Sequence, residues 1–165
     1  MTVPAHVAVG DPIRAATTNS LEDALSSGTG AFLGETQGTA TVTLGTISTN
    51  FAMTDSKVTF TLAAQRRVRI VARYRANAAT APQNCVATPA VVAGSTATLT
   101  GAVLGQVTQV SISTAGGPGQ SEVATESTFL LAAGTWSAFV AAQCTTVNTS
   151  SALAGYCAVF DCGPT

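Results

Sequence analysis

The stretch Arg66-Arg67-Val68-Arg69-Ile70-Val71-Ala72-Arg73-Tyr74-Arg75-Ala76 alternates in character, and its period of two decides the fold class. Even positions carry Val68, Ile70, Ala72 and Tyr74, whereas Arg67, Arg69, Arg73 and Arg75 fall on odd positions. Successive side chains of a strand point to opposite faces, so one face enters a core and the other presents a row of guanidiniums. Working outward, Thr39–Gly45, Ser48–Met53 and Lys57–Leu62 read as short strands before this one. After it, Ser95–Val103, Gln106–Thr114, Glu122–Leu131, Thr135–Cys144 and Tyr156–Phe160 read the same way. Turn residues separate them, notably Ala115-Gly116-Gly117-Pro118-Gly119. Short strands at this spacing predict an all-β protein, a β-sandwich or jelly roll.

The chain has 165 residues, which fits one domain plus a short arm. A domain of that size buries roughly 70% of its unfolded surface and needs no metal or disulfide merely to fold. Charged residues are only 9% of the sequence, against about 25% in an ordinary soluble domain. Apolar residues make up 46%, much of it alanine and valine, yet no stretch approaches the roughly 18–20 residues of a membrane span. A membrane location is therefore not expected. A lone monomer normally keeps a charged surface, so low charge without a membrane segment points to an assembly component.

Residues 1–34 differ from the rest and read as an arm, leaving 35–165 for the sandwich. They open without a basic start or an apolar run, so no secretory signal is expected. Val9-Gly10-Asp11-Pro12 reads as a turn, and Thr17–Leu25 as a short helix with Glu22 and Asp23 in its first turns. A helix this short must dock on something. The arm is thus expected to anchor the chain through Val9, Ile13, Leu21 and Leu25.

The segment Gly134–Ala142 does not alternate cleanly: Trp136, Ala138 and Val140 share one face, Phe139 and Ala141 the other. A strand apolar on both faces is covered on both. The expected covers are the core and a neighbouring subunit, which makes Trp136, Phe139 and Val140 the predicted oligomer interface.

Three pieces of the chain resemble small virion proteins of tailed phages that infect actinobacteria. Val9-Gly10-Asp11-Pro12-Ile13-Arg14-Ala15-Ala16, followed by Asn19-Ser20-Leu21-Glu22-Asp23-Ala24-Leu25, is similar to the opening of many tail, fibre and head-surface proteins. The second piece is Val58–Leu62 followed by Arg67–Ala72. The third, Phe129-Leu130-Leu131-Ala132-Ala133-Gly134-Thr135-Trp136 closing on Ala158–Pro164, resembles jelly rolls of the tumour-necrosis-factor-like kind. Arg14 stands where threonine is usual, and the pattern does not require the four cysteines. The resemblance implies a trimeric jelly roll on the particle exterior, assembled in the host cytoplasm, with the arm holding other virion proteins. Head decoration and a minor tail or fibre role fit it equally.

The remaining chemistry is sparse. Five of the seven basic residues lie in the 66–75 row, where Arg67, Arg69, Arg73 and Arg75 could meet an anionic partner or carboxylates of this fold. A pI near 5.6 and the absence of interleaved aromatics argue against nucleic acid. Cys85, Cys144, Cys157 and Cys162 lack zinc-ligand spacing, and the single histidine, His6, lies in the arm, so neither metal, cofactor nor thiol catalysis is expected. A loop over 147–155 could place Cys144 and Cys157 across a hairpin as a disulfide; a Cys85–Cys162 pair and free thiols stay open. Glu122 and Glu126 share a strand face without the setting of a glycosidase pair. No enzyme is expected. The alternative of another class is a module binding a host-surface glycan, which would show exposed aromatic rings beside polar groups.

Overall fold

The computed structural model describes residues 31–44, 50–78, 83–112, 119–144 and 150–164. Ten strands follow one another: β1 (Ala31–Gln37), β2 (Thr41–Leu44), β3 (Phe51–Leu62), β4 (Arg66–Ala78) and β5 (Gln83–Ala93). Then come β6 (Val103–Leu104), β7 (Thr108–Ile112), β8 (Gly119–Leu131), β9 (Gly134–Cys144) and β10 (Ser150–Asp161). One antiparallel sheet runs β1-β10-β4-β8, with β2 also on β10; the other runs β3-β9-β5-β6, with β7 also on β5. Past β2 the chain crosses between sheets at every connection except β5–β6–β7. The result is the expected all-β jelly-roll sandwich.

The alternation that predicted β4 is realised in full. Val68, Ile70, Ala72, Tyr74 and Ala76 are all at most 1% exposed. They pack with Met53, Val91, Ala138 and Val140 of the second sheet. Tyr74 crosses the sandwich and donates its hydroxyl hydrogen to the carbonyl of Val86 at 2.9 Å, which satisfies a polar atom that burial would otherwise penalise.

Three sequence expectations need correcting. The strands expected at 48–53 and 57–62 are one strand, β3, whose pairing to β9 shifts register between Met53 and Val58. Ser56 lies in that irregularity, fully buried, its hydroxyl donating to the Met53 carbonyl at 2.8 Å. Thr54-Asp55-Ser56 looks like a break in sequence because a bulge uses the same polar residues as a turn. Ser95–Val103 is not a strand: Gly94 (φ 97°) and Gly101 (φ 74°) turn the backbone left-handed, and only Val103 and Leu104 pair, with β5. Sequence reading passed over two strands, β1 and, in the second sheet, β5. Pro89 stands inside it where the neighbouring edge changes from β7, paired to residues 83–87, to β6, paired to 90–91. A residue with no N–H to donate fits that gap in the ladder.

β1 opens at Ala31, within the stretch assigned to the arm. The expected helix, and Val9, Ile13, Leu21 and Leu25, lie outside the described residues. Register places the two ends of the sandwich. Ala31 pairs with Asp161, and Asp161 with Val68. At the other end Ser150 pairs with both Leu44 and Ala78.

Candidate functional site

The odd positions of β4 face outward on the β1-β10-β4-β8 sheet, and two rungs of side chains run across all four strands there. In the first, Phe32 of β1 meets Phe160 of β10 with ring centroids 5.7 Å apart. Arg69 of β4 covers the Phe160 ring at 5.6 Å and pairs with Glu126 of β8 at 2.9 Å. In the second, Tyr156 of β10 donates its hydroxyl hydrogen to the Glu35 carboxylate of β1 at 2.6 Å. Arg73 covers the Tyr156 ring at 4.6 Å and meets Glu122 of β8 at 3.3 Å. The hydrogen bond to Glu35, first among its causes, raises the Tyr156 phenol above its ordinary pKa.

The order of groups follows from register. Phe160 lies opposite Arg69 and Tyr156 opposite Arg73 on one side of β4. Glu122 and Glu126 reach the arginines diagonally from β8, since Arg69 faces Thr128 and Arg73 faces Ala124. The carboxylates therefore serve as counter-ions. Such exposed pairs stabilise by only ~0–1 kcal/mol each, so the rungs fix side-chain direction more than they hold the fold. Arg67 and Arg75 are exposed, with no ion pair among the described residues. Arg66 instead reaches Asp161 at 3.5 Å, while Asp161 also accepts the Gly163 N–H at 2.8 Å and so closes the turn after β10.

Apolar side chains remain exposed on this face at its two edges. Phe32 on β1 and Leu130 on β8 are each 57% exposed. Val103, Leu104 and Val107 add exposed apolar surface where the chain passes from the second sheet toward β8. There the Gln106 N–H donates to the Ser127 hydroxyl and Gly105 packs on Ser127 and Phe129. Sequence reading missed these five; Val103-Leu104-Gly105-Gln106-Val107, with its apolar residues flanking a glycine, was the signal available.

The predicted interface on β9 is placed differently. Phe139 and Val140 are wholly buried within one chain, so neither offers surface to a partner. β9 is covered on both faces as expected, but the second cover is the chain's own 94–102 segment, through Ala97, Leu99 and Ala102. Trp136 is half-buried against the core, and its indole N–H donates to the Ala132 carbonyl at 3.0 Å.

The Cys144–Cys157 bridge is not formed. Cys157 is a free thiol on the inner face of the first sheet, and burial pushes its pKa up to about 12. Among the described residues no group of three His, Cys, Asp or Glu side chains could hold a metal ion. The shallow recesses on this face are lined by Val71, Ala124 and Glu126 with Gln106, and by Gln37, Arg73, Arg75 and Glu122. Neither brings a nucleophile to a base.

No protein-family model and no curated protein matches the chain. Among solved structures it is similar to the Eiger tumour necrosis factor of S. frugiperda, with a TM-score of 0.52 at 8% identity, over 81% of this chain and 94% of that one. A looser likeness, TM-score 0.40 at 9% identity, is to the Gx strain of infectious bursal disease virus, over 78% of this chain and 32% of that one. The likeness to the first is one of fold: both are jelly rolls.

Proposed function

We propose that the chain is a non-enzymatic structural protein on the exterior of a tailed-phage particle, working as a trimer held to other virion proteins by its N-terminal arm. The observation that carries the assembly reading is the placement of Phe32 and Leu130, exposed on one sheet face but on its two opposite outer strands. Three strand spacings separate them, roughly 14 Å. Contact between one edge and the opposite edge of the next copy is head-to-tail, and such contacts close into a ring of three when each copy is turned a third of a full rotation from the last. The 9% charge content and the resemblance of the 9–25 segment to phage virion proteins support the same reading. Decoration of the head and a minor tail or fibre position both suit the design, and copy number per particle, by quantitative mass spectrometry, separates them.

The test is solution mass by light scattering. Wild type is expected to be a trimer, and Phe32→Lys or Leu130→Glu alone to be folded monomers by circular dichroism. The double variant puts opposite charges at the proposed contact and should recover the trimer. A monomeric wild type, or single variants that keep their mass, would refute the edge-to-edge contact.

One observation favours glycan binding as a second reading: the exposed Phe32 ring stands beside Phe160, Arg69 and Glu126. On that reading Phe32→Ala abolishes adsorption to host cell walls while the mass is unchanged.

A further inference from the structure

The four cysteines do not sit in equivalent places. Cys157 belongs to the first sheet, packed among Val68, Ile70 and Val159, and Cys162 lies past the end of β10. Cys85 and Cys144 belong to neighbouring strands of the second sheet, and the β5–β9 register sets them directly opposite one another. Directly opposed residues of an antiparallel pair share a face of the sheet, with α-carbons about 4.5–5.5 Å apart. That separation lies inside the range of about 4.4–6.8 Å that a disulfide spans. Two cysteines meeting in register at the last residue of β9 form a preset site for a cross-strand bridge.

We infer that Cys85 and Cys144 are a redox-dependent staple between β5 and β9, closed when the protein leaves a reducing compartment. The partner is a low-molecular-weight disulfide such as oxidised glutathione. One cysteine thiolate attacks its S–S bond and expels one glutathione thiolate, leaving a mixed disulfide. The thiolate of the second cysteine then displaces the other glutathione. Two protein thiols lose two protons and two electrons, and one glutathione disulfide becomes two glutathiones. Cys85 is fully buried in the folded chain, so exchange occurs while this end of the sheet is open, during folding or in local opening.

The position gives the bridge its effect. Cys85, Cys144 and Ile112 lie together at the end of the sandwich away from the Ala31–Asp161 pair. Phe51 of β3 pairs with Ala142 at that same end. A bond there fixes the strand ends from which the 113–118 and 145–149 connections leave. The inference does not depend on the virion reading, because it follows from the register alone.

The test is made on the wild-type chain, kept reduced and then equilibrated with a glutathione redox buffer. After unfolding and alkylation without reductant, two thiols, Cys157 and Cys162, should be labelled, and a peptide linking Cys85 to Cys144 should be found by mass spectrometry. Four labelled thiols, or a linked peptide that contains Cys157 or Cys162 or joins two chains, would overturn the assignment. Cys144→Ser, which spares the buried Cys85 site, should melt about 5–15 °C below the oxidised wild type and level with the reduced one. Equal melting of oxidised wild type and variant would overturn the stapling role.

Discussion

Cys157 carries a pH dependence that belongs to one side chain. Its thiol is fully enclosed by the apolar inner face, and that burial raises its pKa from 9.0 to about 12. The folded state therefore keeps a proton that the unfolded chain gives up above pH 9. Stability from this group is intact below that pH and is lost as pH rises toward 12, at about 1.4 kcal/mol per pH unit in that window. Cys157→Val should remove that share of the alkaline slope in denaturation curves between pH 9 and 11. An unchanged slope would mean that the thiol titrates elsewhere. Tyr74 shows what sequence can and cannot give at this scale. Its place on the buried face was legible from the alternation around it. Its hydroxyl bond to Val86 was not, because Val86 lies on a strand that the sequence did not announce.

β9 and β5 show why some elements were legible and others not. Mixed burial on β9 was readable from Trp136, Phe139 and Val140, since only double cover permits a strand apolar on both faces. Which group supplies the second cover was not readable, because a neighbour's surface and a folded-back segment leave the same pattern. The segment is local: Gly94 and Gly101 reverse the chain so that Leu99 packs on the cluster that holds Phe139. Phe139→Ala should accordingly cost a monomer about 3–5 kcal/mol in urea unfolding, without concentration dependence. A loss that appears only in an oligomer would return Phe139 to an interface. β5 escaped because Pro89 interrupts Val86–Val92, and a proline inside an apolar run argues against a strand. Here the proline occupies a gap between two partner strands, a context that only topology supplies.

For the whole molecule, the fold was legible because period-two alternation and turn residues recur along most of the chain. The candidate site was half legible. The arginine row could be placed on one face from β4 alone, but its partners Glu122, Glu126, Tyr156 and Phe160 come from strands distant in sequence, and register decides which of them meet. Pairing within the sheet also predicts how the assembly responds to salt. Arg69 and Arg73 are already matched by carboxylates of their own chain, so apolar edges remain to join copies. Raising salt from about 0.05 to 1 M, which shortens the screening length to about 3 Å, should leave the mass of the proposed trimer unchanged. Dissociation at high salt would assign the contact to Arg67 and Arg75 instead.

The antiparallel pairing of Ala31 with Asp161 has a practical side. The first residue of β1 and the last of β10 lie side by side at one pole of the sandwich. The strand ends flanking 45–49, 79–82, 113–118 and 145–149 gather at the opposite pole. Cargo fused after the last strand would emerge next to the start of β1. A peptide grafted between β9 and β10 would stand at the far pole from both, which makes that connection the place to display a foreign epitope clear of the start of the first strand and the end of the last.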